Sequence, residues 1–182
     1  MFGTEGYNKM NYYFYDTDLM GQDDYDIRGE SYRELIDVCC RFSTSFSLAL
    51  WDKNSPVALA LKEYEIKERE TLHPYYRFWS KQKNGWSAYV VCYYRVCEET
   101  CQILKDITES VFDWCQRKEV PGGEDPSFYR EDGSIFFSSE IHDGFLHLAP
   151  LESESPFDRI SPEHWTKERR EIQYNLSELP KG

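Results

Sequence analysis

Two of the chain's four histidines, His142 and His147, fall close to the carboxylate Glu140 in the stretch Glu124–Pro150. One carboxylate with two imidazoles is the donor set of a divalent-metal site, and a carboxylate beside one imidazole can orient a general base. Whether these three groups meet depends on a hairpin. With Asp143-Gly144 as a two-residue loop, Glu140 lies opposite His147 and His142 opposite Phe145. Alternation then puts Phe136, Ser138, Glu140, His142, Phe145 and His147 on one face. Ile135, Phe137, Ser139, Ile141, Leu146 and Leu148 take the other face, toward the core. The simpler account of the trio is a solvated face where acids and imidazoles pair mildly favourably. No His-Glu-x-x-His spacing accompanies it, so neither a metal nor any other cofactor is implied.

A second set of residues suits contact with a protein. Asp16, Asp18, Asp23, Asp24, Asp26 and Glu30 are answered only by Arg28 in an acidic loop, with Tyr25 at its centre. Glu124–Asp132 makes another acidic turn, carrying Phe128, Tyr129, Arg130 and Asp132. Tyrosine and arginine are frequent anchors of interfaces. The candidate binding residues are therefore Asp24, Tyr25, Asp26, Arg28, Phe128, Tyr129, Arg130 and Asp132. Asp, Gly and Pro in the second loop also have backbone reasons to be there.

The six cysteines lack any Cys-x-x-Cys spacing, which removes the commonest zinc and thioredoxin-like patterns. Cys39 and Cys40 are neighbours on a predicted helix and diverge by about 100°. Cys97, Cys101 and Cys115 lie on an apolar stripe, as small hydrophobes do. Met1–Lys9 has no secretory pattern, so all six read as reduced thiols in a cytoplasm.

Elements that would position these groups follow from periodicity and turn chemistry. Met10–Tyr15 reads as a strand. Ser31-x-x-Glu34 is a capping-box pattern opening a helix over Ser31–Phe42. Ser45–Trp51 reads as a strand, and Ser55-Pro56 starts a helical turn or two through Tyr64. His73–Ser80 and Trp86–Tyr94 form a hairpin around Asn84-Gly85. Val96–Lys118 is the clearest helix, closed by Pro121-Gly122-Gly123. Gly133–Ile141 and Phe145–Ala149 form the second hairpin. Ser161-Pro162 opens a C-terminal helix that docks through Trp165, Ile172 and Leu176. The sum is a single α+β domain over residues 1–182, with flexible ends at 1–9 and 177–182. A mainly antiparallel β-sheet with two β-hairpins packs against two to three helices.

Composition narrows the partners. A net charge of −12 disfavours duplex nucleic acid and anionic membrane surfaces. No apolar run is long enough to span a bilayer. Fourteen Tyr, 11 Phe and 5 Trp accompany a mean hydropathy of −0.71, so amphipathic rings are available at the surface.

Two strings carry a family resemblance: Arg28-Gly-Glu-Ser-Tyr-Arg-Glu-Leu-Ile36, and Glu124–Phe137 with Ile141-His-Asp-Gly144. They resemble stretches in small uncharacterised proteins of spore-forming bacteria, some labelled as stage III sporulation proteins. That resemblance implies a small bacterial accessory protein and transfers no catalytic residues.

The expected role is a non-enzymatic acidic module that blocks a basic protein partner, such as a toxin or a defence or anti-defence protein. An immunity protein or a phage–host inhibitor has this character. The alternative is a small-molecule or nucleotide-related ligand protein, or a metal-assisted hydrolase, working from Glu140, His142 and His147.

Overall fold

The computed structural model describes residues 11–16, 26–50, 52–69, 90–114 and 122–168. Eight strands and three α-helices lie within them: β1 (Tyr12–Asp16), α1 (Glu30–Phe42), β2 (Ser45–Leu50), α2 (Pro56–Leu61), β3 (Glu65–Arg69), β4 (Val90–Arg95), α3 (Glu98–Ile107), β5 (Gly123–Tyr129), β6 (Ile135–Glu140), β7 (Phe145–Leu148) and β8 (Thr166–Glu168). The strands form one sheet in the order β3-β4-β2-β5-β6-β7-β1-β8. Each pairing in it is antiparallel. This is the α+β architecture that hairpin signals and amphipathic helices imply.

One apolar core joins the helices to a single sheet face. Tyr32, Leu35 and Cys39 of α1, Val57 and Leu61 of α2, and Leu104 of α3 meet Phe46, Leu48, Phe128, Phe137, Leu146 and Leu148. Alternation along β2 and β4 turns Ala49, Val91 and Tyr93 to the opposite face, where they form a smaller cluster beside Tyr129. Trp114 locks the helical layer from within. Its indole donates to the Tyr32 hydroxyl (3.0 Å), which donates to the carbonyl of Leu104 (2.8 Å). Burial pushes the Tyr32 phenol well above its ordinary range, against the opposing pull of the Trp114 hydrogen bond.

Several elements begin or end where distant contacts require it. The Ser31–Glu34 capping box does not form, because α1 starts one residue early with Gly29 as its N-cap. The Gly29 amide donates to the backbone carbonyl of Glu109 (2.7 Å), and its φ of 60° suits a residue without Cβ. At α2 the local signal is followed: Ser55 Oγ accepts from the Ala58 amide with Pro56 in the first position.

The spacing predicts a helix through Lys118, yet α3 ends at Ile107. Thr108 and Ser110 compete for the backbone there: Ser110 Oγ accepts from the Phe112 amide, and Thr108 Oγ donates toward the Ser110 carbonyl. Ser110 also pairs with Arg28 in an isolated bridge. Val111 and Trp114 still reach the core, through a short 3₁₀ turn.

The C-terminal helix is replaced over Thr166–Glu168 by β8, which pairs with β1. Ile172 and Leu176 lie outside the described residues, as do 1–9, 177–182 and the first strand of the His73–Tyr94 hairpin. β4 pairs with β3 and β2. Cys40 and Cys101 form a disulfide between α1 and α3, with Cα atoms 6.4 Å apart. The expectation of six reduced thiols is therefore corrected: helix packing, unseen in the spacing, brings these two together.

Candidate functional site

Gly144 takes the positive φ its position requires (74°), but a 3₁₀ turn over Ile141–Asp143 precedes it. The loop is longer than two residues, and the register moves by two. Glu140 faces Phe145, and His147 faces Ser138. A shift of two keeps each side chain on its own face. It still divides the trio. Glu140 Oε1 lies 3.5 Å from His147 Nε2, next to the rings of Phe14 and Phe145. His142 swings away to Glu124, at 3.3 Å. Among the described residues no three His, Cys, Asp or Glu groups are placed to hold one metal ion.

Glu124–Tyr129 differs most from the sequence expectation. It reads as an exposed acidic turn, yet it is a central strand. Glu124, Asp125 and Ser127 are buried, and Phe128 is wholly enclosed. Pro126 normally argues against a central strand. A register shift between β2 and β5 accommodates it, with Asp125 at a φ of 48°. Asp is one of the few side chains that visit this region as single residues. The Asp125 carboxylate accepts the Ile141 amide (2.7 Å), so the kink fastens β5 to the hairpin turn. A second irregularity opposite Phe128 and Tyr129 leaves both Phe136 and Phe137 buried.

The expected contact residues are mostly engaged inside the fold. Arg130 is 8% exposed. Its guanidinium grips Glu154 through two bonds (2.9 and 2.6 Å) and donates to the carbonyls of Ala149 and Ile135 and to Ser134 Oγ. It also lies over the Phe136 ring. Every N–H of the fork has an acceptor. Tyr129 is half-buried, its hydroxyl 2.9 Å from Ser47 Oγ and its ring beside Tyr93. Asp26 pairs with Arg28 and lies 2.6 Å from Ser110 Oγ, tying its segment to the chain after α3. Arg28 is exposed and so is Asp132, whose carboxylate is held below the usual range by the Ser134 hydroxyl and amide. Asp24 and Tyr25 lie outside the described residues.

Neither a known protein family, nor a curated protein, nor a solved structure matches this chain.

The outer side of α3 carries no sequence motif yet forms a distinct surface. Thr100, Cys101 and Leu104 turn inward, which leaves Glu98, Glu99, Gln102 and Asp106 exposed around half-buried Ile103. These five residues line an open cleft of about 550 Å³. Gln102 donates to Asp106 (2.8 Å), which orders one wall. Glu99 is held below the ordinary carboxylate range by its own backbone amide, then by the Cys97 thiol and by nearby Arg95. Elsewhere, Leu59 of α2 and Ile66 of β3 are exposed large apolar side chains. The sequence signal for this surface is the run of acids lying off the apolar stripe.

Proposed function

We propose that the chain is a non-enzymatic, acidic protein-binding module that acts in the cytoplasm by occupying a basic partner, in the manner of an immunity protein or a phage–host inhibitor. The α3 cleft is the observation that carries this reading. Three carboxylates and a glutamine surround one aliphatic side chain, an arrangement suited to a lysine or arginine whose stem packs on Ile103 while its head meets the acids. The net charge of −12 would steer a basic partner toward it. Of the described helices, none is long and apolar enough to cross a membrane. The separate destinations of His142 and His147 favour this role over a metal-assisted hydrolase.

Affinity capture from host extract tests the proposal. The wild-type chain should retain a basic protein in stoichiometric amount at low salt and release it as salt rises. Glu98→Lys with Glu99→Lys should weaken that capture by tenfold or more. Capture of nothing, or capture indifferent to both salt and charge reversal, would reject it.

A further inference from the structure

We propose that the Cys40–Cys101 bridge is a reversible redox staple that sets how firmly the first half of α3 is held against α1. The pairing itself is one observation: the bond joins two helices separated by 61 positions in the sequence. The company it keeps is the second. Cys39 adjoins Cys40 and Cys97 lies one helical turn before Cys101, yet both remain thiols. Among the described residues this bridge stands beside the thiols of Cys39 and Cys97, unlike the fully paired framework of an exported domain, and a bridge with neighbouring thiols is open to thiol–disulfide exchange.

Access differs between the two sulfurs, since Cys40 is half-buried and Cys101 is 8% exposed. A cellular dithiol is the reductant the step requires. Its thiolate attacks Cys40 Sγ, and the S–S bond breaks with its electron pair leaving on Cys101 Sγ, which takes a proton. The second thiol of the reductant, as thiolate, then displaces Cys40, which leaves as a thiolate and is protonated. Two electrons pass to the protein, and the dithiol ends as a cyclic disulfide.

The position of the bond determines what it controls. The C-terminal half of α3 has other ties to α1: Leu104 accepts from Tyr32, and Lys105 pairs with Asp37 at 2.8 Å. The first half carries Glu98, Glu99 and Gln102, and its covalent tie to α1 is Cys101. Reduction therefore loosens the acidic end of the cleft while the inner anchor stays. The consequence for partner binding rests on the function proposed above; the staple itself does not.

The test uses the full chain and needs no partner. Protein purified without reductant and alkylated in denaturant should present two fewer thiols than after reduction, with a linked peptide joining Cys40 to Cys101. Equal counts would overturn the proposal. Treating the native oxidised protein with a dithiol should speed amide hydrogen exchange at Cys101–Ile103 by tenfold or more and leave β2 and β5 unchanged. Re-oxidation should restore the slow rates. Unchanged exchange in α3 would make the bond passive, and faster exchange across the sheet would make it a clamp on the whole fold; either outcome overturns the switch. Cys40→Ser with Cys101→Ser should melt roughly 10 °C lower and ignore the dithiol. If that variant does not fold, the wild-type comparison with and without dithiol decides. Loss of partner capture with normal exchange behaviour would instead count against the proposed function alone.

Discussion

The hairpin region from Glu124 to Glu154 and the outer side of α3 are both rich in charged side chains, and they use them in opposite ways. In the hairpin region the charges that hold the strands together, Asp125, Arg130 and Glu154, are turned inward, while Asp132 and its neighbours stay at the turn surface. Arg130 and Glu154 enclose each other, and Asp125 holds the turn amide of Ile141. On α3 the acids stand in the solvent around a shallow cleft. The first arrangement fixes geometry, because a buried ion that loses its partner costs several kcal/mol. The second leaves charge available to a partner at almost no cost to folding. Abundance of charge in a segment is thus a poor guide to its role; what matters is whether the backbone around it is a strand inside a sheet or one face of a surface helix.

The sharpest way to break the contrast is Leu104→Asp, which puts an unpaired carboxylate on the inward side of α3. Its cost should exceed about 5 kcal/mol, enough to unfold a marginal domain. Circular dichroism and gel filtration would read this, and a soluble variant with an unchanged melting point would show that the inward face is misassigned. Next comes Arg130→Ala, which strands Glu154 and two carbonyls and should cost about 3–5 kcal/mol in urea denaturation. Adding Glu154→Gln should return part of that loss; strict additivity would argue against their coupling.

Gly122 sharpens the comparison at the entry to β5. It has a φ of 86°, and a Cβ there would sit 2.6 Å from Ser55 Cβ, the cap of α2. Gly122→Ala should cost about 2 kcal/mol or more by thermal melting. Asp132 offers a smaller, pH-dependent effect. Its folded pKa is depressed by Ser134, so its contribution is present above the unfolded value of about 4 and is lost as pH falls through the lower folded value. Asp132→Asn should flatten the acid limb of stability against pH; an unaltered limb would mean the turn adds nothing. The smallest change in stability belongs to Glu98→Gln with Glu99→Gln, a fall in melting point of about 2 °C or less from losing two exposed acids that suit the helix dipole in the first turn of α3. A larger loss would show that the outer acids of α3 serve the fold after all.

Much of the architecture was legible in short stretches of sequence, and the failures share a pattern. Ser55-Pro56 starts α2, and the apolar spacing of Tyr32, Leu35 and Cys39 places α1 against the core. Gly133 and Gly144 take the positive φ values their turns require. Each of these depends on residues within one or two turns of chain. The candidate site was legible only in part: Glu140 and His147 do share a face, but the longer 3₁₀ loop moves the register by two and releases His142 toward Glu124.

By itself the sequence determined the fold class, the acidic character of the chain and the local start and turn signals, because propensity, capping and net charge are properties of neighbouring residues or of composition. Tertiary structure alone decided that Glu124–Tyr129 is a central strand, that α3 stops at Ile107, that Thr166–Glu168 joins the sheet, and that Cys40 meets Cys101. Those outcomes rest on partners far away in the chain: β2 and β6 flank β5, the Asp26–Gly29 segment claims Ser110, Glu109 and Val111, and α1 presents Cys40 to α3. Contacts of that kind outweigh local preference because each buries a polar group with its partner or closes apolar surface, and neither can be counted until the strands and helices are assembled.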